Sequence, residues 1–345
     1  MTSRDRFLAV LHGETPDRVP YIEAGIDFPF ICRLLQQAVP EGRYFDSGEY
    51  ETTPLAFQLE LNRLLHRDNL TYHQAPPIPA HKLPGQDQIL FFHDGELKTW
   101  AEVDKLRFPD VSGEAVRGPV REFVARAREH GYATVLSTRV GMSATYLGMG
   151  MEHFYVTLKD DPALVGEILR RYTDWSCQVV RMAKETGCDV VWTSDDIAGK
   201  IGPLWSPAMF REVFWPHVRK FATAVRDAGI PWMYHSDGDL WKVLPDLVGF
   251  GITGLNPIEP GCMEIREVRE RYPHLVLSGN VDVDLLSRGT PAEVRGTVRT
   301  LIRDLGPGGR YVVSSGNSVA SYCSTDNVLA MGDAIQEFGR YPIAA

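Results

Sequence analysis

Long apolar runs are missing from this sequence: nothing approaches the roughly 18 consecutive apolar residues a membrane-spanning helix requires. The opening residues, M-T-S-R-D-R, lack the apolar core of a secretory signal, so a cytoplasmic protein is expected. Cysteine is sparse. Five thiols (Cys32, Cys177, Cys188, Cys262 and Cys323) are scattered, odd in number and never spaced C-x-x-C. That suits reduced thiols rather than a disulfide framework. Basic charge is in deficit: 36 Lys and Arg stand against 45 Asp and Glu, a formal net charge of -9. Phosphate binding needs clustered Lys and Arg, so no nucleic-acid partner is expected, and no membrane surface. No G-x-G-x-x-G or G-K-S/T follows the first strand-like run, which argues against a doubly wound open sheet. The glycine-rich run from Gly141, G-M-S-A-T-Y-L-G-M-G, has no phosphate-loop spacing and reads as a tight turn. Internal repeats, low-complexity tracts and linkers are also absent, so a single domain over 1-345 is the simplest account.

What is present is a rhythm. With 44% hydrophobic and 23% charged residues there is ample material for a core. Short apolar runs alternate with helical patterns. The runs are Val19 to Ala24, Asp68 to His73, and those beginning at Thr134, Val190, Trp232, Ile252, Leu275 and Tyr311. Eight such runs are the number that closes a parallel (β/α)₈ TIM barrel of the α/β class. Two additions are expected. Ser3 caps an N-terminal helix through Leu11. Residues 76–119 hold an inserted β-hairpin, a lid or interface, whose strands I-L-F-F and L-K-T-W turn at Asp94-Gly95. The helix opened by Ser206-Pro207 should kink at Pro216, and Thr290 with Glu293 forms a capping box.

The chain is organised around the stretch from Pro231 to Asp282. It reads P-W-M-Y-H-S-D-G, then I-T-G-L-N-P-I-E-P, then V-L-S-G-N-V-D. Each apolar run ends in polar residues and a Gly or Pro, as a buried strand does where it leaves the core. His235, Asp237, Asn256, Glu259, Asn280 and Asp282 sit at these exits and converge if the strands are parallel neighbours. A lone histidine is usually satisfied by nearby backbone. Beside several carboxylates at parallel exits, function is the better reading. His235 and Asp237 stand two apart on a strand and share a face, so they can ligate a metal or act as acid/base and orienter. Glu259, held between prolines, is a positioned carboxylate or a salt-bridge partner. Asp195 and Asp196 are adjacent and point oppositely, so one enters the pocket and the other caps the following turn or pairs with a surface base. Asp196 is a substrate-binding candidate, although its place before Ile197 also suits the cap. Asn256, Asn280, Asp282 and Asn317 complete the substrate-binding set, with Asx turns as the alternative for each amide. Asp68 and Tyr146 lie at expected strand exits. Tyr146 can instead pack with Met142, Met149 and Met151.

Several segments together resemble the uroporphyrinogen decarboxylase superfamily: R-D-R-F-L-A-V-L-H-G-E-T-P-D-R-V-P, S-D-D-I-A-G-K-I-G-P-L-W-S-P, H-S-D-G, N-P-I-E-P, G-N-V-D and G-G-R-Y-V-V-S-S-G-N-S-V. The resemblance spans nearly the whole chain. It implies a (β/α)₈ barrel with its cleft at the strand C-termini, often in a homodimer. It also implies one of two chemistries. One branch decarboxylates uroporphyrinogen without a cofactor, and there Asp68 and Tyr146 would match the catalytic Asp and Tyr. The other branch comprises zinc-dependent methyltransferases that work with a corrinoid protein or a thiol acceptor. In that branch zinc is held by H-x-C and a later Cys. Here His235 matches the His, Asp237 replaces the first Cys and Asn317 stands near the second. The Arg-rich segment that grips substrate carboxylates in the decarboxylases is replaced by Y-I-E-A-G-I-D-F-P-F. The expected function is therefore a corrinoid-linked methyltransferase or O-demethylase of a small oxygen-bearing substrate. His235, Asp237 and Glu259 would hold zinc or another divalent metal. A cofactor-free decarboxylase using Asp68 and Tyr146, with Arg139 and Lys200 as cationic partners, is the alternative. A barrel that binds a ligand or corrinoid without catalysis is the third.

Overall fold

The computed structural model describes residues 1–46 and 51–343. Among these residues twelve strands occur in chain order: β1 (Phe45–Asp46), β2 (Asn69–His73), β3 (Ala80–Pro84), β4 (Ile89–Gly95), β5 (Ala133–Thr138), β6 (Val190–Ser194), β7 (Ala198–Gly199), β8 (Gly202–Pro203), β9 (Trp232–His235), β10 (Gly254–Ile258), β11 (Val276–Val281) and β12 (Tyr311–Ser315). Seven of them form one parallel sheet in the order β12-β11-β10-β9-β6-β5-β2. Amphipathic helices connect them and cover the outside. The longest, Pro162–Thr186, buries Leu164, Ile168, Tyr172, Trp175, Val179 and Met182 at helical spacing.

The eighth stave is the run Val19 to Ala24, which is extended but makes only one bridge. Tyr21 pairs in parallel with Val313 of β12. The Ile22 N–H donates to the Val313 carbonyl at 3.1 Å, and on the other side the Asp68 N–H donates to the Tyr21 carbonyl at 2.8 Å. The segment thus joins the two edges of the curled sheet. Pro20 has no N–H to give to a ladder, which is why the stave stays short of a regular strand.

The two ends of the barrel differ. The helix Ser3–Leu11, capped by Thr2 rather than by Ser3, presses Phe7, Val10 and Leu11 against the residues where strands begin: Ala133, Val190, Met233, Val276 and Val312. This plugs the N-terminal end. The C-terminal end carries the polar strand exits.

The inserted hairpin exists within residues 76–119, but its strands and turn differ from expectation. β3 pairs antiparallel with β4, and the turn lies at Gln86–Gln88, where Asp87 and Gln88 take positive φ without glycine. Asp94 and Gly95 close β4 instead of turning it. A Cβ on Gly95 would stand 2.2 Å from the Gly148 carbonyl oxygen, so the glycine is there for close approach. The kink expected at Pro216 falls just before it. Ser206 caps Pro207–Met209, the chain widens into a π-helical turn over Phe210–Phe214, and the helix Trp215–Ala228 follows. A proline near a helix start disturbs the ladder preceding it.

Candidate active site

His235 ends β9, in register with Asn256 of β10 and Ser194 of β6. Its side chain is fixed from below. Nδ1 lies 2.9 Å from the Asn256 Oδ1, and Asn256 in turn donates through Nδ2 to the Ser278 Oγ at 2.9 Å and the Ser314 Oγ at 3.1 Å. With Nδ2 committed to the serines, Asn256 offers only its oxygen, so Nδ1 carries a hydrogen and Nε2 is the nitrogen turned to the site. Asn256, expected to touch substrate, is fully buried beneath the imidazole. Its role is to orient that ring.

Nε2 faces two carboxylates, with the Asp196 Oδ1 at 3.7 Å and the Asp237 Oδ1 at 3.8 Å. One ligand atom from each of Asp196, His235 and Asp237 lies within 4.8 Å of the others. Two carboxylate oxygens this close to each other repel unless a cation or a proton sits between them. Asp237 shows the need most clearly. Its Oδ2 accepts from the Asn317 Nδ2 at 2.6 Å, while its Oδ1 is buried with no hydrogen-bond partner. Burial, opposed by His235 and reinforced by Asp196 and Glu259, pushes the Asp237 carboxyl up to about 6. An imidazole nitrogen with two carboxylate oxygens fits a divalent cation, and an oxygen-rich set favours harder ions than a thiolate set does.

The Asp195-Asp196 pair resolves in one direction. Asp195 is fully buried and accepts from the N–H groups of Gly141 at 3.2 Å and Ser143 at 2.9 Å, at the start of the helix Met142–Met149. Asp195 is therefore the cap, and Asp196 is the pocket residue. Tyr146, on that helix, donates its hydroxyl to the Asp196 carbonyl oxygen at 3.1 Å. Burial, with Asp196 adding to it, raises the phenol well above its usual range. Tyr146 therefore stays a neutral donor beside the site.

Glu259 follows β10 and its Oε2 accepts from the Gly238 N–H at 2.9 Å. Gly238 has φ +87°, and a Cβ there would meet the Gly199 carbonyl oxygen at 2.6 Å. Glu259 thus clamps the turn after Asp237 against the β7–β8 hairpin. It lies next to the three converging groups, and Asp196 occupies the third ligand position expected of it. Asn280 adopts φ +81° and donates to the Ile258 carbonyl at 2.8 Å, tying loop to loop. Asp282 is exposed and accepts from the Asp284 N–H at 2.8 Å as a helix cap. Neither side chain joins the His235 cluster, although Asp282 lines the cleft above it.

Asp68 is displaced furthest from expectation. It precedes β2 and so stands at the strand's start, on the plugged end of the barrel. It has no exposed surface, pairs with Arg6 at 2.7 Å and Arg18 at 2.9 Å, and accepts from the Tyr21 N–H. It cannot share a site with His235. Arg139 is buried and bonded to the Ser143 Oγ at 2.6 Å and the Ser194 carbonyl at 3.0 Å. Lys200 lies at the exposed tip of the β7–β8 hairpin. The open end leads into a cleft of about 1040 Å³ lined by Lys200, Glu259, Asp282, Asn317, Phe91 and Tyr322 among others. Sequence reasoning missed the buried acid Glu23, whose only signal was a charge inside an apolar stave.

A parallel barrel with catalytic-type residues at the C-terminal ends of its strands has the architecture of an enzyme of the TIM-barrel class. The profile of the Uroporphyrinogen decarboxylase (URO-D) family matches residues 92–338. The Uroporphyrinogen decarboxylase of Anaeromyxobacter dehalogenans is 30% identical over 97% of this chain and 99% of its own length. That of Dichelobacter nodosus is 25% identical, but over 51% of this chain and 49% of its own. A solved methyltransferase from Methanosarcina mazei superposes with a TM-score of 0.74, covering 98% of this chain and 99% of its own at 20% identity, which attests the shared fold. The chain belongs to the uroporphyrinogen decarboxylase family and is an enzyme of that superfamily. No helix among the described residues is long and apolar enough to cross a membrane.

Proposed function

We propose that this enzyme is a methyltransferase of the corrinoid-linked kind, removing a methyl group from a small oxygen-bearing substrate. The observation that carries the reading is the convergence of Asp196, His235 and Asp237, with one Asp237 oxygen buried and without a hydrogen bond. Asp196, His235 and Asp237 would hold a divalent cation, which supplies Lewis-acid polarisation of an oxygen when bound. Asn256 fixes the imidazole tautomer, as a partner behind a ligating histidine does. Asn317 holds Asp237, and Glu259 holds the turn that follows it. Tyr146 steadies the Asp196 backbone beside the site, and the cleft of about 1040 Å³ is roomy enough for a small substrate.

Decarboxylation is the second reading, favoured by the names of the curated relatives. Its support in the side chains is thinner. Asp68 is neutralised by two arginines at the opposite end, and the cleft carries Asp27, Asp87, Glu259, Asp282 and Asp284 against Lys200 and Arg288. A polycarboxylate would meet like charge there.

The test pairs two assays. Protein purified without a histidine tag is analysed for bound metal, and turnover of uroporphyrinogen is compared with demethylation of methoxylated compounds in the presence of a corrinoid protein. Stoichiometric metal that is lost in His235→Ala, together with demethylation, supports the proposal. Uroporphyrinogen turnover unaffected by His235→Ala would overturn it.

A further inference from the structure

Glu23 is a fully buried carboxylate that the proposed chemistry does not use. It sits on the closing stave, 1% exposed. Both of its oxygens accept from Ser315, with the Tyr21 phenol also beside the carboxyl: the Ser315 N–H donates to Oε1 at 3.0 Å, and the Ser315 hydroxyl lies 2.6 Å from Oε2. Ser315 ends β12. The same hydroxyl is 3.2 Å from the carbonyl oxygen of Asn317. Asn317 is the residue that holds Asp237.

A hydroxyl has a single hydrogen and here has two acceptors. When Glu23 is ionised, that hydrogen belongs to the carboxylate and the Asn317 carbonyl goes without it. When Glu23 is protonated, its own O–H donates to the Ser315 Oγ, and the serine hydrogen turns to the Asn317 carbonyl. We infer that Glu23 is a positioning residue for the active site, switching the Ser315 hydroxyl between itself and the loop that presents Asn317 to Asp237. The inference rests on Asp237 being part of the working site, but the exchange itself needs neither substrate nor metal.

The surroundings allow both states near neutrality. Burial, opposed by the bonds from Ser315 and by Arg67, raises the Glu23 carboxyl to about 7. The titratable and charged groups facing it are Arg67 and Tyr21, the Cys323 thiol and, across a small cavity of about 30 Å³, His73. Burial, with Arg139 adding to it, lowers the His73 imidazole to about 3, and burial, with Glu23 adding to it, raises the Cys323 thiol to about 11. Neither changes charge in the range where Glu23 does.

The experiment is a pH titration of the full-length chain by heteronuclear NMR from about pH 5.5 to about pH 8.5. It reads the carbonyl carbon of Asn317 and the amide nitrogen of Ser318, which shares that peptide group. Both are expected to shift with one midpoint near 7, shared with the Glu23 side-chain carboxyl carbon. Glu23→Gln keeps a donor at all pH values and should hold these signals at their low-pH positions. Ser315→Ala should abolish the shift while Glu23 still titrates. The shift should persist in Asp237→Asn, which separates it from the titration of Asp237 near 6. A shift that survives in Glu23→Gln or Ser315→Ala, or one that vanishes in Asp237→Asn, overturns the inference. A failed metal or turnover assay would instead overturn the proposed function and leave this result standing.

Discussion

Asp68 and Asp237 are both carboxylates beside the end of a barrel strand, and the protein treats them in opposite ways. Asp68 at the plugged end is held by two arginines, one of which also pairs with Asp17, and by a backbone N–H. Asp237 at the open end has one amide, one bare oxygen and two further carboxylates close by. The first arrangement is self-sufficient and serves the fold. The second is incomplete without a cation, a proton or a ligand, which is how a site differs from a structural ion pair.

Four measurements can break or sharpen this contrast. Asp68→Ala would leave Arg6 and Arg18 without their shared counterion, at a cost of about 3–5 kcal/mol in chemical denaturation; a loss below about 1 kcal/mol would erase the distinction. Asn256→Ala frees the His235 ring to turn, so metal affinity should fall by about 10–100-fold, read by competition with a chelator. Asp237→Asn should act on stability in the other direction. The folded carboxyl is raised from 3.8 to about 6, so the favourable contribution present below pH 4 is lost as pH rises through about 6. In metal-free protein the variant should therefore gain on the wild type by about 3 kcal/mol between acid and neutral pH. A constant difference would mean that the open end is as well compensated as the plugged one. Asp282→Ala, which removes only an exposed cap, should cost about 1 kcal/mol or less and leave metal affinity unchanged.

Much of the fold could be read from periodicity, because a parallel strand buried on both faces has to be apolar wherever it runs. The site could be read from where those runs stop, which brought His235, Asp237, Glu259 and Asn317 into one region. Direction was harder. Asp68 adjoins an apolar run just as Asp237 does, and only the sense of the strand decides which mouth it faces. The two arginines that neutralise it, Arg6 and Arg18, come from segments 62 and 50 residues away. Pairing at that range leaves no local trace. The roles within Asp195-Asp196 had the same difficulty, since the amides that Asp195 caps belong to another strand's exit. The hairpin turn went astray because Asp87 and Gln88 adopt positive φ, a conformation that sequence reasoning assigns to glycine first.

The N-terminal helix that stoppers the strand starts has a consequence for the order of events. With Phe7, Val10 and Leu11 filling the rear, the chamber is a cul-de-sac. If a methyl acceptor docks across the doorway, as the proposed function requires, a small molecule bound for His235 would have to enter before it and leave after it.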